Sequence, residues 1–174
     1  SDFAENFLYE FENGKESVFA IQRSINDGSP DGRGTWASAL NYPQSAEFGC
    51  CGFHVPTQNF VNSFKTGADG LPLLDTYNDA NYVAAADPVD PRLDHTVVQQ
   101  GKPFKYDPAY IAQGDPWARD PATYGNYASM KELEHPDCPC RAANGPFTIT
   151  SKNDVLMRYS DVLLWKAEAL IELG

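Results

Sequence analysis

The chain of 174 residues carries thirteen lysines and arginines against twenty-four aspartates and glutamates, a formal net charge of −11 at pH 7. This charge argues against a nucleic-acid partner, because binding to phosphates requires clustered basic side chains. No run reaches the length of about eighteen apolar residues that a membrane-spanning helix needs, and the sequence begins without a methionine or a basic signal segment, so we expect a piece of a longer protein.

The composition predicts a loop-rich fold. Thirteen prolines and thirteen glycines interrupt the chain so often that we expect few regular elements longer than about eight residues. Ten phenylalanines, nine tyrosines and three tryptophans offset a low aliphatic content, since aromatic side chains supply either core area or exposed stacking surfaces. The length suffices for one domain with its own core.

The first regular element is predicted at residues 16–25. There the sequence ESVFAIQRSI alternates between two sets of side chains and is rich in β-branched and aromatic residues, as a strand is. Residues 26–34 follow with Asp-Gly steps and Pro30, which predict an exposed loop.

Short elements are predicted in the middle of the chain. Residues 58–65 place two phenylalanines at helical spacing behind Thr57, a suitable N-cap, and predict a short helix. The stretches 93–98 and 146–150 are typical of short strands. Residues 101–145 are expected to be mostly irregular.

The last stretch, Asn153–Gly174, is the longest periodic segment and predicts an amphipathic helix. Ser151, Asn153 and Asp154 are candidate N-caps, and Gly174 suits a left-handed C-cap. The apolar stripe implies helical partners that the rest of the sequence does not predict. The side chains at three- and four-residue spacing are Val155, Tyr159, Val162, Leu163, Leu170 and Leu173.

Four motifs in the same chain order resemble the SusD/RagB family. The run RYSDVLLWKAEALIELG at 158–174 is similar to the family's helix motif, and ESVFAIQRS at 16–24 to its strand motif. Between them lie Gly-Cys-Cys-Gly-Phe at 49–53, leading to Pro-Thr-Gln and Phe64, and DPRLDHTV, which begins at Asp90. Four ordered matches over most of the chain are far more specific than one.

The resemblance implies both a fold and a function. It implies an α+β, loop-rich portion of a SusD-like fold, with residues 1–152 as a subdomain of short strands and helices and residues 153–174 as a tetratricopeptide-type scaffold helix. The family consists of surface-exposed outer-membrane lipoproteins that capture nutrients, usually glycans, and pass them to a SusC-like TonB-dependent transporter. The expected partners are therefore a nutrient ligand, that transporter and the outer membrane through a lipid anchor outside this chain, with no catalysis and no cofactor.

A ligand-binding face is predicted between residues 26 and 53. Aromatic rings stack on the apolar faces of sugars, while amide, acidic and guanidinium groups bond their hydroxyls, and this stretch contains both kinds of residue. In SusD-like proteins, loops after the strand that ESVFAIQRS resembles form part of the ligand surface, although no family ligand residue aligns here by motif. The alternative for each ring is a place in the core. The candidates are Arg33, Trp36, Asn41, Tyr42 and Phe53.

The four cysteines form two close pairs, Cys50 with Cys51 and Cys138 with Cys140. Neither pair has the spacing of a zinc site. A disulfide between the two pairs is possible in an exported protein, and unpaired buried thiols are the other alternative. A bond within either pair would be strained.

No catalytic motif is recognisable. Asp87, Asp90 and Asp94 lack the order of an EF-hand and are expected to be solvated turn carboxylates rather than calcium ligands, so no metal site is predicted. Asp94 and His95 are expected to form a surface pair rather than a base and its orienting acid. The alternatives to nutrient binding are a glycoside hydrolase with a carboxylate pair and a purely structural interaction module.

Overall fold

The computed structural model describes residues 2–28, 38–45, 47–49, 51–144 and 147–174. Within these ranges one helix has fifteen residues, and every other helix or strand has two to five. Frequent proline and glycine explain the short elements, because each interrupts the hydrogen bonding or dihedral angles of a regular segment. The predicted loop-rich α+β fold class is confirmed at this level, with helices and small sheets mixed along the chain.

The described helices and strands alternate along the chain. Four α-helices are α1 (Gln58–Asn62), α2 (Arg92–Thr96), α3 (Pro121–Tyr124) and α4 (Tyr159–Leu173). Short 3₁₀ helices lie at Phe3–Phe7, Tyr9–Phe11, Ser38–Asn41 and Asp115–Trp117. The strands are β1 (Ser17–Ile21), β2 (Val97–Val98), β3 (Pro103–Phe104), β4 (Asp107–Ile111), β5 (Ala128–Ser129), β6 (Arg141–Asn144), β7 (Phe147–Thr150) and β8 (Asp154–Arg158).

The strands form four separate antiparallel pairs in the described part of the chain. β1 pairs with β8, β2 with β5, β3 with β4, and β6 with β7. The predicted strands at 16–25 and 146–150 are confirmed by β1 and β7. The predicted helix at 58–65 is confirmed by α1, where the Thr57 side chain accepts a hydrogen bond from the backbone N–H of Phe60 at 3.1 Å.

The N-terminal end of the predicted final helix is wrong. Residues 154–158 form β8 and pair with β1 in a register that sets Ile21 opposite Asp154, so the helix begins at Tyr159 and not at Asn153. The Asp161 carboxylate accepts the backbone N–H of Arg158 at 2.8 Å, which satisfies a free N–H group at the start of the helix. Ser151, Asn153 and Asp154 therefore do not cap this helix.

The predicted strand at 93–98 is correct only at its end. Residues 92–96 form α2, because the Asp90 carboxylate and carbonyl accept the N–H groups of Arg92 and Leu93 at 2.9 and 3.0 Å and start a helical turn. Pro91 has φ of −59°, which already suits a helix. Only Val97 and Val98 are extended.

Aromatic side chains form the main core. Phe48 lies at its centre, stacked on Tyr42 with 5.7 Å between ring centroids and in edge contact with Phe104 and Trp117 at 5.3 and 5.1 Å. Such offset and edge geometries are the ones that the ring quadrupoles favour. The remaining buried members are Val98, Ala112, Ala128, Met130 and Leu133.

A buried ionic cluster joins distant parts of the chain beside this core. The β3–β4 hairpin turns at Lys105 and Tyr106, both with positive φ as its two-residue turn requires. The Lys105 ammonium lies 3.6 Å from Glu134 Oε1, and the Lys152 ammonium lies 2.6 Å from the same oxygen. All three side chains are at most 10% exposed, so the carboxylate offsets the cost of burying two ammonium groups.

The disulfide pairing matches neither of the two alternatives that the sequence left open. Cys138 and Cys140 are bonded to each other, which excludes a bond from either to the 50–51 pair. Cys51 is also disulfide-bonded, and no described cysteine is free, so unpaired buried thiols are also excluded among these residues. The sulfur atoms of Cys138 and Cys140 lie close to Glu134, but in a disulfide they are not thiolate ligands for zinc.

Candidate ligand-binding groove

A groove with a volume of about 890 Å³ runs beside β8. Its walls come from β8, the segment around Asn41, the segment 54–56, and residues 129–132. The volume lies within the range of about 300–1,000 Å³ typical of small-molecule sites. We refer to this feature as the groove.

Asn41 organises a polar cluster on one wall of the groove. Its side-chain N–H donates to the Glu132 carboxylate, and its amide oxygen lies 2.7 Å from His54 Nδ1. Because an amide oxygen only accepts, His54 Nδ1 carries the hydrogen and a neutral His54 ring keeps Nε2 as an acceptor. Asn41 itself is 8% exposed, so a buried side chain holds Glu132 and His54 in place through two hydrogen bonds.

Backbone hydrogen bonds hold the two chain segments of this wall together. The N–H of Gly52 donates to the carbonyl of Tyr42 at 2.9 Å, and the N–H of Phe53 donates to the carbonyl of Leu40 at 2.8 Å. His54 follows directly with φ of 52°, in the left-handed region. This turn brings its imidazole back to Asn41.

The charged groups of the groove are mostly paired within the chain. Arg158 contacts Glu16 at 3.1 Å, and Asp154 forms an ion pair with Arg23. Lys131 forms no ion pair with a described residue; its ammonium lies 4.9 Å from the centre of the Phe7 ring. Burial, followed by the neighbouring charges of Arg158 and Arg92, lowers the pKa of Lys131.

An exposed aromatic ring also lines the groove. Phe60 of α1 is 44% exposed. Phe64 meets it edge-on at 5.3 Å, which fixes the orientation of the ring. The groove therefore combines a stacking surface with hydrogen-bonding groups.

The predicted ligand residues have different environments. Asn41 lies in the groove, whereas Tyr42 is fully buried in the aromatic core, with its hydroxyl accepting the N–H of Glu134 at 3.1 Å. Burial raises the pKa of Tyr42 to about 12. This position matches the core alternative for that ring.

Phe53 is 42% exposed, and the guanidinium of Arg119 lies 4.4 Å from its ring centre. Arg33 and Trp36 lie outside the described residues. The role of all five candidates in ligand binding stays a prediction.

Sequence reasoning missed His54, Lys131 and Glu132. Asn41 and Glu132 are ninety-one positions apart, and no local pattern around Glu132 sets it apart from the other acidic residues. Of these three, only His54 could have been found from the sequence, because it directly follows the predicted ligand residue Phe53.

No helix among the described residues has the length and apolar character needed to cross a bilayer.

Comparison with known proteins identifies the family of the chain. No curated protein matches the chain. The model of the SusD family matches residues 15–174 and so includes all four ordered motifs. Because this match covers far more than half of the sequence, the chain belongs to the SusD family.

Proposed function

We propose that the chain binds a glycan or a related nutrient without chemically changing it and delivers it to a SusC-like TonB-dependent transporter. Proteins of the SusD family generally bind nutrients, most often glycans, and are generally noncatalytic and associated with the outer membrane. The family match over residues 15–174 is the observation that carries this proposal.

The chemistry of the groove supports a hydroxyl-rich ligand. Sugars present apolar C–H faces flanked by hydroxyl groups, so their sites combine aromatic rings with fixed polar groups. The Phe60 ring supplies the first component. The exposed Glu132 keeps its second carboxylate oxygen free of hydrogen bonds from described residues, and His54 Nε2 adds another acceptor.

The carboxylates of the groove favour binding over hydrolysis. A glycosidase needs two carboxyl groups free to act on the scissile bond, one of them as a proton donor. Here Glu132 accepts from Asn41, Asp154 from Arg23, and Asp161 from the backbone of Arg158. Of these three, only Glu132 is exposed, whereas Asp154 and Asp161 are half-buried, so the described residues of the groove do not present a pair of exposed carboxylates.

We further propose that α4 is a tetratricopeptide-type scaffold helix and that a lipid anchor holds the intact protein on the cell surface. Supporting the first point, large apolar side chains of α4 are roughly half exposed or more in the described structure, which fits packing against further helices. They include Leu163, Leu164, Trp165, Leu170 and Ile171.

A glycan array followed by calorimetric titration of the intact protein tests the binding step. We expect at least one glycan to bind. Chromatography of the ligand recovered after prolonged incubation should show that the sugar is chemically unchanged. Release of shortened sugars would favour the hydrolase alternative. An absence of binding across nutrient classes, with transporter association retained, would favour the structural module.

A further inference from the structure

Lys131 is a cation of the groove to which the described residues give no carboxylate partner. Its ammonium lies 4.9 Å from the centre of the Phe7 ring and forms no hydrogen bond or ion pair with a described residue. The other lysine and arginine of the groove, Lys152 and Arg158, each pair with a glutamate. Removing an ammonium from water without a partner costs free energy, and contact with an aromatic ring offsets only part of that cost.

The surroundings of Lys131 are positively charged. The guanidinium of Arg158 lies 5.4 Å from the centre of the same Phe7 ring. Burial lowers the pKa of Lys131 most, the charges of Arg158 and Arg92 lower it further, and the opposing effect of Asp161 is the smallest. The Asp161 carboxylate already accepts the backbone N–H of Arg158. Two cations beside one ring therefore favour an added anion at this position.

The adjacent acid, Glu132, has a different environment. Its carboxylate is exposed and accepts a hydrogen bond from Asn41, and an exposed carboxylate is solvated well enough to need no cation. Lys131 is half-buried, so it has less access to water and no acceptor to replace it. Lys131 therefore favours an anionic group of a ligand, whereas Glu132 favours hydroxyl donors.

Two buried lysines hold the backbone that carries Lys131. The Lys105 ammonium donates to the carbonyl of Met130 at 3.1 Å, and the Lys152 ammonium donates to the carbonyl of Lys131 itself. The N–H of Met130 donates to the carbonyl of Thr96 at 3.0 Å. Because this backbone is fixed before a ligand arrives, binding at Lys131 costs less conformational entropy.

We propose that the groove binds an acidic glycan, with a carboxylate or sulfate group of the sugar paired with the Lys131 ammonium. This inference rests on the proposed function and narrows its ligand from glycans in general to anionic ones. Both groups present oxygen anions, which an ammonium binds as a compact point charge. The net charge of −11 does not oppose such binding, because salt screens exposed charges beyond about 8 Å.

Matched pairs of glycans test the requirement for charge. Oligogalacturonate with its methyl ester, a sulfated galactan oligosaccharide with its desulfated form, and each acidic glycan that binds on the array with its neutral derivative are titrated into the intact protein by calorimetry. We expect an acidic member to bind about tenfold more tightly than its neutral counterpart, as for a hydrogen bond to a charged group. The pair that shows this difference distinguishes carboxylate from sulfate.

Other results of these titrations count against the inference. Equal affinities within every pair, or binding of neutral glycans alone, would overturn it and leave the proposed function standing. Failure of the intact protein to bind any glycan, acidic or neutral, would contradict the binding step of the proposed function together with the inference.

Substitutions of Lys131 test where the anion binds. Lys131→Gln should remove the preference for the acidic member of the pair, whereas Lys131→Arg, which retains the charge, should keep most of it. Lys15→Gln is the matched control, because Lys15 is exposed and lies outside the groove, and it should bind as the wild type does. A preference retained in Lys131→Gln would show that another cation binds the anion and would overturn the assignment.

The melting temperature separates a role in ligand binding from a structural one. In the ligand-free intact protein Lys131→Gln should not lower the melting temperature, because the substitution removes a half-buried charge without breaking an ion pair. The acidic glycan should raise the melting temperature of the wild type more than that of the variant, since a ligand stabilises the state that it binds. A marked loss in the ligand-free variant would show that the protein itself supplies an anion to Lys131, which overturns the inference.

Discussion

Lys105 and Lys152 donate to the same backbone carbonyl, that of Phe7, each at 2.8 Å. The two lysines come from a hairpin turn and from the segment before β8, so one carbonyl of the N-terminal segment links both. Glu134 supplies the compensating negative charge. This shared contact fixes the position of the N-terminal segment relative to the hairpin turn and the segment before β8.

The titration of Lys105 is predicted to make stability depend on pH. Burial, and then the charge of Lys152, lowers the pKa of Lys105 from 10.5 to about 7. Between these values the unfolded chain binds more protons than the folded chain, so this group makes the folded state more stable as pH rises from about 7 to about 10. Below about 7 the lysine is charged in both states and its destabilising effect is complete.

Urea unfolding of the wild type and of Lys105→Met at several pH values checks this prediction. The difference in unfolding free energy between them should shift in favour of the wild type as pH rises from 7 to 10. Parallel pH profiles would contradict it.

The cysteine pairing predicts a specific peptide pattern. Trypsin cleaves after Lys131 and Arg141, so one peptide, 132–141, contains both Cys138 and Cys140. Without reductant we expect this peptide to appear alone and lighter by two hydrogens than its dithiol form. Mass spectrometry with and without reductant measures this, and a peptide linked to the 50–51 segment would show the pairing to be wrong.

Glu132→Gln is predicted to weaken glycan binding at the groove. The substitution preserves size but replaces a charged acceptor by a neutral one, and hydrogen bonds to charged groups are roughly twice as strong. We expect affinity to fall about five- to tenfold with an unchanged melting temperature, because Glu132 is exposed.

Calorimetric titration with a glycan found on the array provides the measurement for Glu132→Gln. Glu10→Gln, the same chemical change at an exposed position outside the groove, is the control. Equal affinity in both variants would remove Glu132 from the site.

Trp36→Ala tests the sequence-derived part of the ligand face. Loss of a stacking ring should lower glycan affinity by about tenfold while the fold stays intact. Calorimetry and circular dichroism on the intact protein measure the two effects. Unchanged affinity for a confirmed ligand would exclude Trp36, and a large loss of melting temperature would place its ring in the core.

Sequence patterns correctly predicted those helices and strands that are determined by residues close together in the chain. The alternation around Val18 to Ala20 indicates β1, and Thr57 with its following phenylalanines indicates α1. Asn153–Arg158 was predicted as helix because Val155 also fits a helical stripe. Its actual state depends on pairing with β1, more than 130 positions away, which no local pattern encodes.

In the groove, too, local sequence features could be predicted and long-range contacts could not. Asn41 was predicted from its polar and aromatic neighbourhood, and it does lie in the groove. Its partners His54 and Glu132 depend on a turn with positive φ and on a long-range contact. The burial of Tyr42 likewise depends on Phe48 and Arg141, whose proximity only the folded chain creates.

The pairing of β1 with β8 has a consequence for how this protein reaches its native state. Ser17 faces Arg158, so the first strand has no partner until nearly all of the following residues have been synthesised. Contacts between such distant positions slow folding, because a long loop must close before they stabilise the chain. Until then β1 has an unpaired edge that carries Val18 and Phe19, and such an edge favours aggregation of the incomplete chain.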